Sequence, residues 1–135
     1  MKLYVLDLGK IVMKGDNPVT DEKEGGEAAI PVCAFLIDSP EGKILFDAGC
    51  HPQAMEGAWP EAMCANPYVF GREATLLSRL KQINVEPSEI RYVVASHLHL
   101  DHAGGLHLFP QAVTYVQEQE LLKTMKDHEN GEPRS

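Results

Sequence analysis

Long apolar runs are missing from this sequence. No uninterrupted stretch approaches the roughly 20 residues that a membrane-spanning helix needs, which excludes a membrane as partner. The N-terminus, MKLYVLDLGKIVMKGD, also lacks the plan of a secretory signal, because Asp7 and Lys10 interrupt its apolar stretch too early. The sequence therefore reads as cytoplasmic. A basic patch is missing too. The 12 Lys and Arg are scattered among 20 Asp and Glu, for a formal charge of −8. An extended polyanion is repelled by such a chain, so nucleic acid is not an expected partner. Cysteine is sparse and odd in number, and Cys33, Cys50 and Cys64 form no Cys-x-x-Cys pair. That argues against a disulfide framework. Cys33 sits in an apolar run and reads as a small buried residue, whereas Cys50 and Cys64 fall in loop-like sequence where a reactive thiol stays open. Repeats and composition breaks are absent as well, so residues 1–135 read as one domain without internal boundary.

What is present is an ordinary globular balance, 44% apolar and 24% charged, enough for a real core. Residues 2–8 are apolar and β-rich, a natural opening strand. Residues 14–27 (KGDNPVTDEKEGGE) are polar and Gly-rich and predict an exposed loop. Residues 30–38 (IPVCAFLID) and 43–47 (KILFD) flank the turn residues Ser39-Pro-Glu-Gly, which predicts a hairpin. Residues 50–72 hold three prolines with Met55, Trp59, Met63, Tyr68 and Phe70. Such a segment packs on the body or roofs a pocket. Its apolar side chains are pocket lining or simple anchors.

Residues 73–84 form the clearest helix, with Leu76, Leu77, Leu80 and Ile83 on one face. Pro87 opens a short turn before a buried strand over 90–96 (IRYVVAS). A helical turn is expected over 106–110, a strand over 113–117, and a helix over 118–127 with Leu121, Leu122 and Met125 inward. Residues 128–135 read as an unstructured end. The order predicts a mixed α/β fold.

The chemistry is concentrated in SHLHLDHAGG, residues 96–105. Side chains alternate in extended chain, so His97 and His99 emerge on one face while Leu98 can turn to the core and Leu100 can anchor the loop. Asp101 and His102 follow as the chain turns toward a neighbouring point. Gly104 and Gly105 let the backbone bend sharply and pack closely behind them. Imidazole plus carboxylate without thiolate suits Zn, or else Fe or Mn, with a position left for water. Zinc lowers the pKa of water to about 7, which supports hydrolysis. As mere core residues, three histidines and an acid at a strand end would each cost desolvation. By contrast, His51, His107 and His128 have no partners at ligand spacing and read as ordinary side chains. Asp47, which closes KILFD before Ala48-Gly49, is either a carboxylate that orients a ligand histidine or a turn cap.

The His-x-His-x-Asp-His string, with ILFDAG upstream and the helix between them, resembles the metallo-β-lactamase superfamily. Within it the chain is most similar to the N-acyl homoserine lactonases. The resemblance implies an αββα sandwich, a mixed sheet with flanking helices, of which this chain would be the N-terminal half. It implies two zinc ions, His97 and His99 binding the first, Asp101 and His102 the second, with Asp101 also a catalytic proton carrier and Asp47 the family's structural aspartate. Ala48 departs from the usual residue of that turn. The implied activity is opening of a small acyl lactone, with a glyoxalase II-like ester or thioester hydrolase as the alternative. An RNA-cleaving phosphodiesterase fits the acidic balance poorly. The family's later ligands have no counterpart in these 135 residues. Hence a third expectation: a fragment that acts only in assembly, as a homo-oligomer or swapped dimer.

Overall fold

The structure, a computed structural model, describes residues 1–14, 27–51, 68–69, 71 and 73–131. Its centre is one six-stranded sheet. The elements run β1 (Lys2–Lys14), β2 (Glu27–Ser39), β3 (Gly42–Phe46), β4 (Tyr68–Val69), α1 (Leu76–Gln82), β5 (Ile90–Val94), α2 (Leu100–Ala103), β6 (Val113–Tyr115) and α3 (Glu118–Glu129). Single 3-10 turns cover Pro87–Glu89 and Leu106–Leu108. The strand order is β4-β1-β2-β3-β5-β6. The pairs β1/β4, β1/β2 and β2/β3 are antiparallel, and β3/β5 and β5/β6 are parallel. The mixed α/β expectation holds.

The predicted hairpin is β2-β3. Its turn is closed by the Ser39 hydroxyl, which donates to the Gly42 carbonyl at 2.8 Å and accepts the Glu41 N–H at 3.3 Å. Gly42 has φ +133, a conformation that side-chain-bearing residues avoid. Strands β1 and β2 are longer than the apolar pattern suggested. They pair on through Lys10↔Pro31 to Lys14↔Glu27, past a register shift between Asp7 and Lys10. The bulge absorbs the misfit, so polar residues continue the ladder. The rest of the expected loop, 15–26, lies outside the described residues. So does most of 50–72, including Met55, Trp59, Met63, Cys64 and Phe70; only Tyr68 and Val69 there add a short edge strand that the sequence did not announce.

Helix α1 is shorter than predicted because Thr75 caps it, its Oγ1 accepting the Ser78 N–H at 3.1 Å. Arg79 and Lys81 in its last turn suit the helix dipole. Leu76 and Leu80 are buried against the sheet with Leu6, Leu8, Leu36, Leu45, Ile90, Val93 and Phe109, while Leu77 points outward.

The register places a second apolar set on the opposite sheet face. Leu3 pairs with Ile37, Val5 with Phe35, Phe35 with Phe46, Ile44 with Tyr92, and Val94 with Tyr115, and directly paired residues share a face. Leu3 is 65% exposed, Val5 64% and Tyr115 54%. No described residue covers them.

Helix α3 corrects the sequence reading outright. Leu121, Leu122 and Met125 are exposed, not inward. The inward face is Glu120, Thr124 and Asp127, at i, i+4 and i+7. Polar bonds decide the docking. The Glu120 carboxylate accepts the Leu98 N–H, and buried Asp127 pairs with Lys123 at 3.1 Å. The helix also runs on through His128 and Glu129, where an unstructured end was expected.

Candidate metal centre

Strands β3 and β5 lie parallel, and their carboxyl ends bring two distant segments together, the place where open α/β sheets bind ligands. After β3 comes Asp47; after β5 come Ser96 and His97. Asp47 has left the strand with φ 60, a left-handed conformation that Asp tolerates better than most residues. Its N–H donates to the Val94 carbonyl at 2.8 Å, and the next N–H, of Ala48, donates to the His102 carbonyl at 2.7 Å.

Buried Asp47 is the hub. Its Oδ1 accepts the Ser96 N–H at 2.7 Å and its Oδ2 accepts the Ser96 hydroxyl at 2.8 Å. The same Oδ2 lies 2.8 Å from His102 Nδ1. Burial opposes ionisation of Asp47, but the bonds from His102 and Ser96 outweigh it and hold the pKa below the ordinary carboxylate value. Since the Ser96 hydroxyl hydrogen goes to this carboxylate, Ser96 Oγ accepts from His97 Nδ1, 2.9 Å away. His97 therefore keeps its lone pair on Nε2. One carboxylate thus orients two imidazoles, one directly and one through a hydroxyl. Between the two readings left open for Asp47, this geometry is that of the orienting carboxylate.

The motif side chains gather as their spacing suggested. The His97 ring lies 4.5 Å from that of His99 and 4.0 Å from that of His102, centroid to centroid. His99 caps the one-turn helix α2, whose first turn carries Asp101. His102 Nε2 lies 3.3 Å from Asp101 Oδ2. With Asp101 on one nitrogen and Asp47 on the other, the His102 pKa rises to about 9 despite some burial. Asp101, although burial alone would raise it, is held below the ordinary value by His102 and, more weakly, His99. As placed, no three described His, Cys, Asp or Glu side chains are grouped to hold an ion, because Asp101 and His102 are turned onto each other. The donors still fit a borderline divalent cation in kind, and an ion competes for His102 Nε2 with a single proton.

The glycines act by close packing, not by a bend. Gly104 has φ −60 and Gly105 φ −91. A Cβ on Gly104 would collide with the backbone of His51 and Leu100, and one on Gly105 with the Ala48 carbonyl.

Several side chains fall differently from expectation. Cys50 is buried beside Asp101, and burial with that charge pushes its thiol up to about 12, so it is no nucleophile. Cys33 is only half-buried. The Tyr68 hydroxyl donates to the Leu8 carbonyl, which makes it an anchor. His51 and His107, read as partnerless, stack on each other at 4.5 Å. Sequence reasoning missed Ser96 and Glu120 as site residues. Ser96 stood beside the motif, but a serine at a strand end carries no spacing signal. Glu120 belongs to a helix whose docking face was misread.

This fold and motif define a metallo-β-lactamase domain. Residues 29–129 match the metallo-beta-lactamase superfamily, and the chain belongs to it. It is 36% identical over 146 aligned residues to the N-acyl homoserine lactonase AiiB of Rhizobium rhizogenes, covering 99% of this chain and 53% of that protein. With the N-acyl homoserine lactonase AttM of Azorhizobium caulinodans it shares 32% identity, covering 89% and 47%. A crystal structure of a Bacillus thuringiensis AiiA variant with N-decanoyl-L-homoserine bound at the active site superposes with TM-score 0.80 at 26% identity, covering 92% of this chain and 51% of that one. An N-acyl homoserine lactone hydrolase with N-hexanoyl-L-homoserine bound at its catalytic metal center gives 0.79 at 27%, with coverage of 92% and 51%. The chain spans about half the length of the curated relatives it matches.

Proposed function

We propose that this chain carries the metal-binding loop of an N-acyl homoserine lactone hydrolase, with His97, His99, Asp101 and His102 as donors. The observation that carries the reading is the imidazole cluster at the carboxyl end of β5, two of whose rings are oriented by Asp47. The lactonase names of the relatives support the substrate class. Two zinc ions, or Fe or Mn, held by His97 with His99 and by Asp101 with His102, would supply Lewis acidity toward a lactone carbonyl and bring the pKa of water to about 7.

The chain's own residues do the rest. Asp47 fixes the His97 tautomer through Ser96 and the His102 ring directly, so that each presents Nε2. Asp101 takes the proton from attacking water and returns it to the ring oxygen as the ester bond breaks. A cytoplasmic location belongs to the same proposal. Among the described residues no helix is long and apolar enough to cross a membrane.

Lactone opening by the purified protein, followed as acid release, tests this. His97→Ala or Asp101→Asn should abolish it, and full activity in either variant sinks the assignment. A thioester panel separates the glyoxalase II-like alternative, which requires thioesters to be cleaved faster than lactones. A role in assembly alone is favoured by the uncovered apolar sheet face. For that reading the occupant we propose is a second copy of the chain. Zinc analysis discriminates: two ions per chain support the enzyme, none the assembly role.

A further inference from the structure

His51 and His107 are 56 positions apart, and no spacing rule connects them. Their rings nevertheless lie 4.5 Å apart, centroid to centroid, with planes 25° from parallel. The main chain brings them there. His51 follows buried Cys50 beyond β3, and His107 sits in the 3-10 turn after Gly105. These segments touch backbone to backbone, since a Cβ on Gly104 would collide with the His51 nitrogen and one on Gly105 with the Ala48 carbonyl. The Ala48 N–H bond to the His102 carbonyl, 2.7 Å, ties them again. The ring separation therefore rests on packed backbone as well as on side-chain torsions.

His107 Nδ1 lies 3.0 Å from the Gly104 carbonyl oxygen. A carbonyl oxygen only accepts, so Nδ1 carries the hydrogen and Nε2 keeps its lone pair. An imidazole that donates one N–H to a backbone carbonyl while offering the other nitrogen is arranged as metal-ligating histidines are. His107 is exposed and His51 partly so, which leaves the pair open to ions from solvent. The charge of −8 raises the local concentration of cations.

We propose that His51 and His107 form a bis-imidazole site for a borderline divalent transition ion, separate from the cluster at 97–102. Two imidazoles without thiolate suit Cu2+, Ni2+ or Zn2+, with Cu2+ bound most tightly. The remaining positions on the ion are taken by water or by a donor from a small molecule. The site stands whether or not the lactonase reading does, because it shares no ligand with it.

Zn2+ alone, titrated into the unmodified chain while the ring nitrogens of all six histidines are followed by 15N NMR, tests the proposal. Nitrogens of His51 and His107 should shift together, one on each ring, at a stoichiometry additional to that reported by His97, His99 and His102. Shifts at the motif histidines alone, at one member of the pair, or at none overturn it. Cu2+ binding followed by electron paramagnetic resonance gives a second test. His51→Ala and His107→Ala should each lose the same single equivalent relative to the unmodified chain, and retention of that equivalent in either folded variant overturns the site. Should the variants not fold, the zinc titration of the unmodified chain decides alone.

Discussion

The Glu120 carboxylate accepts the backbone N–H of Leu98 at 3.0 Å, holding α3 against the very residue that separates His97 from His99. Replacing Glu120 with Ala leaves a part-buried donor without its carboxylate. The expected cost is about 1–3 kcal/mol in urea unfolding, with faster amide exchange at Leu98 than at its neighbours in β5. Glu120→Gln keeps an acceptor and should recover most of the loss. Equal exchange at Leu98 in all three proteins would refute the link.

Asp47→Asn tests the hub. Asn tolerates positive φ, so the turn survives, but the charge that draws protons onto His102 is gone. The His102 pKa should fall from about 9 toward its ordinary 6.5, read by NMR titration under chelator. Zinc affinity should drop by roughly 10- to 100-fold, the usual cost of losing a partner that orients a ligand. Unchanged zinc affinity would make Asp47 a turn cap only.

The pH dependence of stability follows from the same groups. Without metal, His102 binds its proton more tightly folded than unfolded, so its pairing contributes fully below about 6.5 and is lost as pH rises through about 9. Asp47 and Asp101 are shifted the other way, so their contribution is present above about 3.8 and is lost as pH falls through their lower folded values. Thermal unfolding with chelator should therefore show its highest midpoint between about pH 4 and 6.5 and a decline toward pH 10. A midpoint that climbs from pH 6.5 to 9 contradicts the His102 assignment.

Gly105→Ala should be among the most damaging single-methyl changes available. The added Cβ meets the Ala48 carbonyl, a backbone atom that cannot swing aside. Overpacking of this kind costs about 1–3 kcal/mol or more. The displaced segment carries His102 at one end and His107 at the other, so the motif's ring signals should move as well. Gly131→Ala, with no atom within 4 Å of the new Cβ, shows how much of the loss is glycine conformation alone.

Self-association is the fifth expectation. The sheet face bearing Leu3, Val5 and Tyr115 is apolar and uncovered among the described residues, a larger patch than soluble monomers usually carry. Light scattering should find dimers or larger species, and Val5→Lys should shift them toward monomer. A well-dispersed monomer of the unmodified chain removes the assembly proposal.

The sequence spoke clearly wherever a local pattern had one physical cause. Alternation and turn residues placed β2 and β3, and the i, i+4 leucines placed α1. The density of ligand-type side chains after β5 marked the cluster, since nothing else stabilises three imidazoles and an acid there. It spoke poorly where a distant partner decides the outcome. The apolar residues of α3 suggested a buried face, yet a bond from Glu120 to a backbone 22 residues earlier turned that face outward. Ser96 relays Asp47 to His97, and His51 meets His107, only because β3 and β5 lie side by side. Chain spacing does not record that adjacency.

The parallel contact between β3 and β5 also sets a timetable. Phe46 pairs with Val94, across a stretch that must close before Asp47 can meet Ser96, whereas β2 and β3 meet across a four-residue turn. Distant pairings of this kind form slowly. The hydrogen bonds that aim His97 and His102 thus come into being at the end of folding, and a partly folded chain has the motif but not its aim. Cations offered during refolding would meet ungoverned imidazoles first, so the order in which metal and chain are mixed should influence which ion ends up bound.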